Sequence, residues 1–160
     1  FNREALQACN VKFSLLTYSL GNYLFQNYIV DSAYENETAI FDNVVLCQAD
    51  VDNKGHASWV DLIETGKRVY VTINENDWVL KWSDANFQKD RLGRTAKNLN
   101  SNNAAYFDFT DGKGVGKTHG VFYKKTNPVV KAFFSKVFNG LRGEDIDGMS
   151  YHSPSNSYRF

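Results

Sequence analysis

The stretch "LLTYSLGNYLF", residues 15–25, runs from an apolar, β-prone segment through Ser19 and Gly21 into a helical pattern. A strand that turns into a helix at a serine demands a particular geometry. The serine takes a strained backbone conformation, so its neighbours must be small. The helix behind it aims its free N–H groups and the positive end of its dipole at the hydroxyl. Gly21 supplies one small neighbour, while Thr17 stands where a second glycine is usual. The plainer alternative is that Ser19 only N-caps the helix.

Working outward from that turn, the chain alternates between strand and helix patterns. "VKFSLLTY" (11–18) reads as a strand that is apolar on both faces, and "LGNYLFQNYIV" (20–30) as a helix with Leu20, Tyr23, Leu24, Tyr28 and Ile29 at helical spacing. Upstream, "FNREALQAC" (1–9) reads as the end of a helix, and downstream "SAYENETAI" (32–40) as a loop. "FDNVVLCQA" (41–49) is a second buried strand, and "HASWVDLIETG" (56–66) a helix closed by Gly66. "KRVYVTI" (67–73) is a third strand, followed by the turn "NEND" and then by a weaker fourth strand, "NNAAYFDFT" (102–110). "NPVVKAFFSKVFNG" (127–140) is a helix with Pro128 at its start and Gly140 at its end. From Leu141 the apolar period stops, and 141–160 reads as a flexible Gly/Ser-rich tail. The expected class is α/β: a three-layer sandwich with a mainly parallel sheet, helices on both faces and right-handed crossovers.

At 160 residues one domain is the default, and it is assigned here to 1–140. Lys+Arg and Asp+Glu both number 18, so no overall field favours nucleic acid or an anionic membrane. Cys9 and Cys47 fall in apolar contexts and read as buried thiols rather than a disulfide. No hydrophobic run reaches membrane-spanning length and no basic-then-apolar leader opens the chain, which makes the cytoplasm the expected compartment. The chain begins with Phe1 rather than Met, which reads as a fragment or a processed product.

A strand, then Thr17-x-Ser19-x-Gly21, then a helix, is the arrangement of a nucleophile elbow, in which the Leu20 N–H can stabilise an oxyanion. A serine nucleophile needs a base, and the base needs an acid to orient it. In elbow-type enzymes they follow in the order Ser, acid, His, each on a loop after a later strand. Asp77, in "NENDWVL", lies just past the third strand, and His119, in "KTHGVFY", lies in the loop after the fourth. Asp77 could instead cap a helix over "WVLKWS", and His119 could be an exposed loop residue. Asp50, ending the second strand in "CQADVD", is the alternative acid. His56, at a helix start, and His152, in the tail, read as structural or solvated. Tyr18, Tyr23, Trp78, Trp82, Phe122 and Tyr123 flank the candidate positions and can line an acyl pocket, although core packing is the better explanation for each.

Two motifs are set aside. "DGKGVGKT" (111–118) looks like a phosphate-binding loop, but Asp111 holds the place of its first glycine and no helix clearly follows Lys117. "DVDNKGHASWVD" (50–61) has carboxylates at calcium-loop spacing, but Lys54 occupies a ligand position and a strand precedes it. No Cys/His grouping has zinc spacing, and no cofactor is expected.

Taken together, "YSLGN", "VVLCQADVD", "VYVTINENDWVLKWS", "RLG" and "THGVFY" resemble, in this order, the C-terminal half of an α/β-hydrolase. More narrowly, they are similar to a group of bacterial α/β-hydrolases of unassigned physiological role. In that group a His-Ser-x-Gly-Asn elbow precedes an Asp-Val-Asp strand end, an aspartate after the next strand and a late Gly-His or similar. The resemblance covers roughly residues 1–139, with Tyr18 in place of the common histidine. It implies a partial α/β-hydrolase fold, with Ser19 as nucleophile, Asp77 as acid and His119 as base, acting on a small-molecule ester or other acyl bond. Esterase-like or lipase-like activity is the first expectation. The usual fold has several strands before the elbow, and a loop there gives a second oxyanion donor. The resemblance therefore also implies an apolar strand edge near Phe13–Tyr18, to be covered by a missing N-terminal half or by a second copy. A hydrolase-shaped module for binding or assembly, without catalysis, is the alternative.

Overall fold

The computed structural model describes residues 11–32, 39–124 and 126–160. The helix end expected at 1–9, Cys9 and most of the loop at 32–40 lie outside them. Four strands run parallel in sequence order: β1 (Ser14–Tyr18), β2 (Asn43–Cys47), β3 (Val69–Ile73) and β4 (Ala104–Asp108). Two further strands, β5 (Ser150–His152) and β6 (Ser157–Arg159), complete a six-stranded sheet in the order β1-β2-β3-β4-β6-β5, in which only the β5–β6 pairing is antiparallel. The helices are α1 (Gly21–Ser32), α2 (Ala57–Val60), α3 (Trp78–Phe87) and α4 (Pro128–Phe138). The class is α/β. Among the described residues no helix is long and apolar enough to cross a membrane.

Alternate residues of the strands feed two cores, because successive side chains point to opposite faces. Val44, Leu46, Val69, Val71 and Ile73 pack with Phe25 and Ile29 of α1 and with Trp59 and Val60 of α2. Val45, Cys47, Tyr70 and Phe107 pack with Val130, Phe133 and Val137 of α4. Covered on both faces, β2 and β3 are buried along their whole length, and this is why they read as unbroken apolar runs. β1 is only half-buried at every position.

Local chemistry sets the ends of α4. The Asn127 side chain accepts from the Val129 and Val130 N–H groups, and Pro128 takes the first turn, where its missing N–H costs nothing. At the other end the Leu141 N–H reaches the Lys136 carbonyl and the Gly140 N–H the Val137 carbonyl, a Schellman closure.

Three expectations change. The helix expected over 56–66 is only Ala57–Val60. Gly66 does not stop a helix. It bridges to Phe41, and a Cβ there would lie 2.5 Å from Val44 Cγ2, so the backbone passes too close to β2 for any side chain. "WVLKWS", weighed only as a short helix behind a cap, belongs to ten-residue α3. The stretch read as a tail carries β5 and β6: Tyr158 stacks on Phe107 at 4.8 Å, and Arg159 pairs with buried Asp108 at 3.0 Å. Three-residue strands are too short to show a period: β5 is defined by its pairing with β6, and β6 joins the sheet through its long-range pairing with β4.

Candidate active site

Ser19 sits between β1 and α1 with φ +52°, a left-handed backbone that a serine holds only under constraint. The constraint is visible. Its N–H donates to the Cys47 carbonyl at 3.1 Å, and its own carbonyl accepts from the N–H groups of Asn22 (3.1 Å) and Asp50 (3.2 Å) and from the Asn22 side-chain amide (3.0 Å). Thr17, at the position where glycine is usual, turns its hydroxyl to Asn22 Oδ1 at 2.7 Å. Gly21 has no crowded neighbour: a Cβ there would meet nothing within 4 Å, so packing among the described residues does not require its smallness.

Ser19, His119 and Asp77 converge at the C-terminal rim of the sheet. His119 Nε2 lies 2.8 Å from Ser19 Oγ, across 100 residues of sequence, and His119 Nδ1 lies 2.7 Å from Asp77 Oδ2. The neutral ring that suits both contacts donates from Nδ1 to the carboxylate and accepts the serine hydroxyl at Nε2. Asp77 is fully buried and has two tasks. Oδ2 faces the imidazole, while Oδ1 accepts from the Val79 and Leu80 N–H groups and caps α3. The cap weighed from the sequence is present on one oxygen of the carboxylate, and the other oxygen contacts the imidazole.

Two buried amides brace the histidine loop, and the sequence reading passed over both. Asn74, the first residue after β3, donates to the carbonyls of Gly116 and Thr118, at 3.0 and 2.8 Å. Gln48, the first residue after β2, holds φ +40°, donates to Thr72 Oγ1 at 3.1 Å and accepts from the Val121 N–H at 3.3 Å. The available signal was an amide side chain directly after a strand buried on both faces, where a polar group survives only if it is hydrogen-bonded. Gly93, in the "RLG" stretch, lets a 3-10 turn over Leu92–Arg94 press on the end of β2, since a Cβ there would sit 2.2 Å from the Ala49 nitrogen.

Around the histidine, the Tyr18 ring lies 5.0 Å from the imidazole and Phe122 meets Tyr18 edge-on at 5.2 Å. Burial, with Cys47, Tyr123 and Asp77 adding to it, pushes the Tyr18 phenol up to about 12. Burial likewise pushes the Cys47 thiol up to about 12, and the thiol donates to Gln48 Oε1. It is no rival nucleophile at neutral pH, since the thiolate is the reactive form. Tyr23, Trp78, Trp82 and Tyr123 are exposed rather than gathered into a closed pocket.

Asp50, the alternative acid, points elsewhere. Its carboxylate accepts from Ser83 Oγ at 2.6 Å and lies 3.2 Å from Arg91 Nε. Asp52 pairs with Lys89 and Arg91, so two of the three carboxylates of the calcium-like stretch have cationic partners, and the third, Asp61, accepts from the Ser101 hydroxyl and the Asn102 N–H. The glycine-rich stretch 111–118 forms turns that lead into His119. His56 is buried, with Nδ1 at 2.7 Å from the Asn53 carbonyl and Nε2 at 2.6 Å from the Tyr106 hydroxyl, while exposed His152 meets only Ser155 and the tail. Compared with protein-family models, with curated proteins and with solved structures, the chain shows no significant match. Geometry therefore carries the functional reading.

Proposed function

We propose that this chain is the serine-bearing part of a hydrolase of ester or other acyl bonds, built on the C-terminal portion of an α/β-hydrolase sheet with helices in layers on both faces. The single observation that carries the reading is the continuous contact from Ser19 Oγ through the His119 ring to Asp77. A serine at positive φ, on a turn between a parallel strand and a helix, supports it further.

The chemistry follows from the positions. His119 Nε2 takes the hydroxyl proton as Ser19 Oγ bonds to the carbonyl carbon, and the carbonyl π pair moves onto oxygen. The Leu20 N–H, at the free end of α1, is the donor for that oxyanion. Collapse breaks the bond to the leaving group, which departs with the proton from His119. Water, deprotonated by the same ring, then attacks the acyl carbon and releases the acid and Ser19. Asp77 holds the ring in one tautomer and offsets its charge while it carries both protons. The small-molecule substrate binds at Ser19, beside the Tyr18 and Phe122 rings that pack next to the imidazole. Among the described residues β1 pairs only with β2, and a polypeptide packed along its other edge is the proposed source of a second oxyanion donor.

Labelling with a fluorophosphonate probe tests the reading. Labelling that disappears in Ser19→Ala is the expected result. No labelling of the folded protein in its longest natural form sinks the hydrolase and leaves a hydrolase-shaped binding module.

A further inference from the structure

We propose that Asn22 is a positioning residue that aims the Leu20 N–H at the oxyanion, an inference that rests on the hydrolase reading above. The starting point is an oddity. Asn22 lies in the first turn of a surface helix, yet its side chain is fully buried. Among the described residues, every hydrogen bond of that side chain goes to the elbow or to the end of β2 that the Ser19 N–H also binds. Nδ2 donates to the Ser19 carbonyl at 3.0 Å and to the Cys47 carbonyl at 3.3 Å, and Oδ1 accepts from the Thr17 hydroxyl at 2.7 Å. The orientation of the amide is unambiguous, because its nitrogen faces two carbonyl oxygens and only an N–H can satisfy them.

Peptide planarity turns this clamp into a device. The Ser19 carbonyl and the Leu20 N–H belong to one peptide unit, which is flat and trans, so they point in opposite directions. Three donors hold the carbonyl inward: the Asn22 N–H, the Asn22 side-chain amide and the Asp50 N–H. Whatever fixes the carbonyl fixes the N–H pointing the other way, out of the amino end of α1. The Leu20 N–H accordingly has no hydrogen-bond partner among the described residues. Oxyanion stabilisation depends on a donor already aimed where charge develops, with no reorganisation during the reaction. Asn22 touches neither substrate nor the His119–Asp77 pair, and it acts through the peptide alone.

The test uses p-nitrophenyl butyrate hydrolysis and the rate of fluorophosphonate labelling, on the wild type and Asn22→Ala. The expected result is a kcat lower by about 10- to 100-fold, a fraction of what loss of a whole oxyanion donor costs. KM and the pH midpoint of the labelling rate stay unchanged, because the imidazole and its acid are untouched. A loosened elbow would instead shift the pH midpoint or raise KM with kcat intact, and either pattern overturns the proposal, as does a folded Asn22→Ala that labels at the wild-type rate. If Asn22→Ala does not fold, Asn22→Ser decides. Its shorter side chain keeps a polar group in the pocket but withdraws the amide from the Ser19 carbonyl, so slower labelling at an unchanged pH midpoint supports the proposal and a wild-type rate overturns it. A folded wild type that neither labels nor hydrolyses overturns the hydrolase reading itself, which is a separate failure.

Discussion

The two flanks of the candidate site are built differently. On one side β2 and β3 are buried throughout, and their ends are tied by Gln48, Asn74 and the turn at Gly93. On the other, β1 pairs only with β2 among the described residues. Beside it Leu20, just before α1, and Tyr23, Leu24 and Tyr28 on α1 are about half exposed or more. His119 and Asp77 stand on the braced flank, and Ser19 and Leu20 on the bare one. His119 and Asp77 are thus held by this chain's own braced loops, while Ser19 lies beside an edge of β1 that has no further strand partner among the described residues. An open strand edge beside an apolar helix face is a surface that proteins normally cover.

Breaking the triad should have the largest effect. His119→Ala is expected to lower the hydrolysis rate by about 10⁴-fold with the melting temperature nearly unchanged, measured by aryl-ester turnover and thermal denaturation. Asp77 allows a sharper separation. Asp77→Asn keeps an oxygen for the α3 cap but loses the ring-orienting charge, so activity falls by about 10⁴-fold while the fold holds. Asp77→Ala loses the cap as well, with a further cost of about 1 kcal/mol in denaturant unfolding. An Asp77→Asn variant with near-wild-type turnover would mean that the ring is oriented by something else.

Next come the two glycines, one on each flank. Gly93→Ala puts a Cβ into the backbone of Gln48 and Ala49 and is expected to cost about 3 kcal/mol or more. Gly21→Ala meets open space at the start of a helix and is expected to be neutral or to add about 0.5 kcal/mol. Equal penalties at the two positions would erase the contrast between the flanks.

The smallest effect is a pH dependence on the braced side. Burial holds His56 below its ordinary 6.5. Its neutral ring donates to the Asn53 carbonyl and accepts from the Tyr106 hydroxyl. Below pH 6.5 the unfolded chain takes up a proton at this histidine that the folded chain resists. The associated stability is therefore present above that pH and lost as pH falls beneath it. His56→Gln should show a shallower drop in melting temperature between pH 7.5 and pH 5.5 than the wild type. Tyr106→Phe should cost about 1–2 kcal/mol at neutral pH, since it leaves His56 Nε2 and the Ser101 N–H without their partner.

What could be read without coordinates, and what could not, divides along the range of the forces involved. Continuous apolar runs announced β2 and β3, because a strand covered on both faces needs apolar side chains at every step. Pro128 and Gly140 marked the ends of α4, because capping is settled within a turn of helix. The order of Ser19, Asp77 and His119, on the loops after the first, third and fourth strands, was legible because the strand pattern shows in the local sequence, most weakly for the fourth. The tertiary structure alone decided that Asp77 and not Asp50 meets the imidazole, since that choice depends on Arg91 and Ser83 drawing Asp50 away from positions 41 and 33 residues distant. It alone shortened the helix after His56 and paired β6 with β4. Contacts between residues far apart in the chain leave no local periodicity, and only packing reveals them.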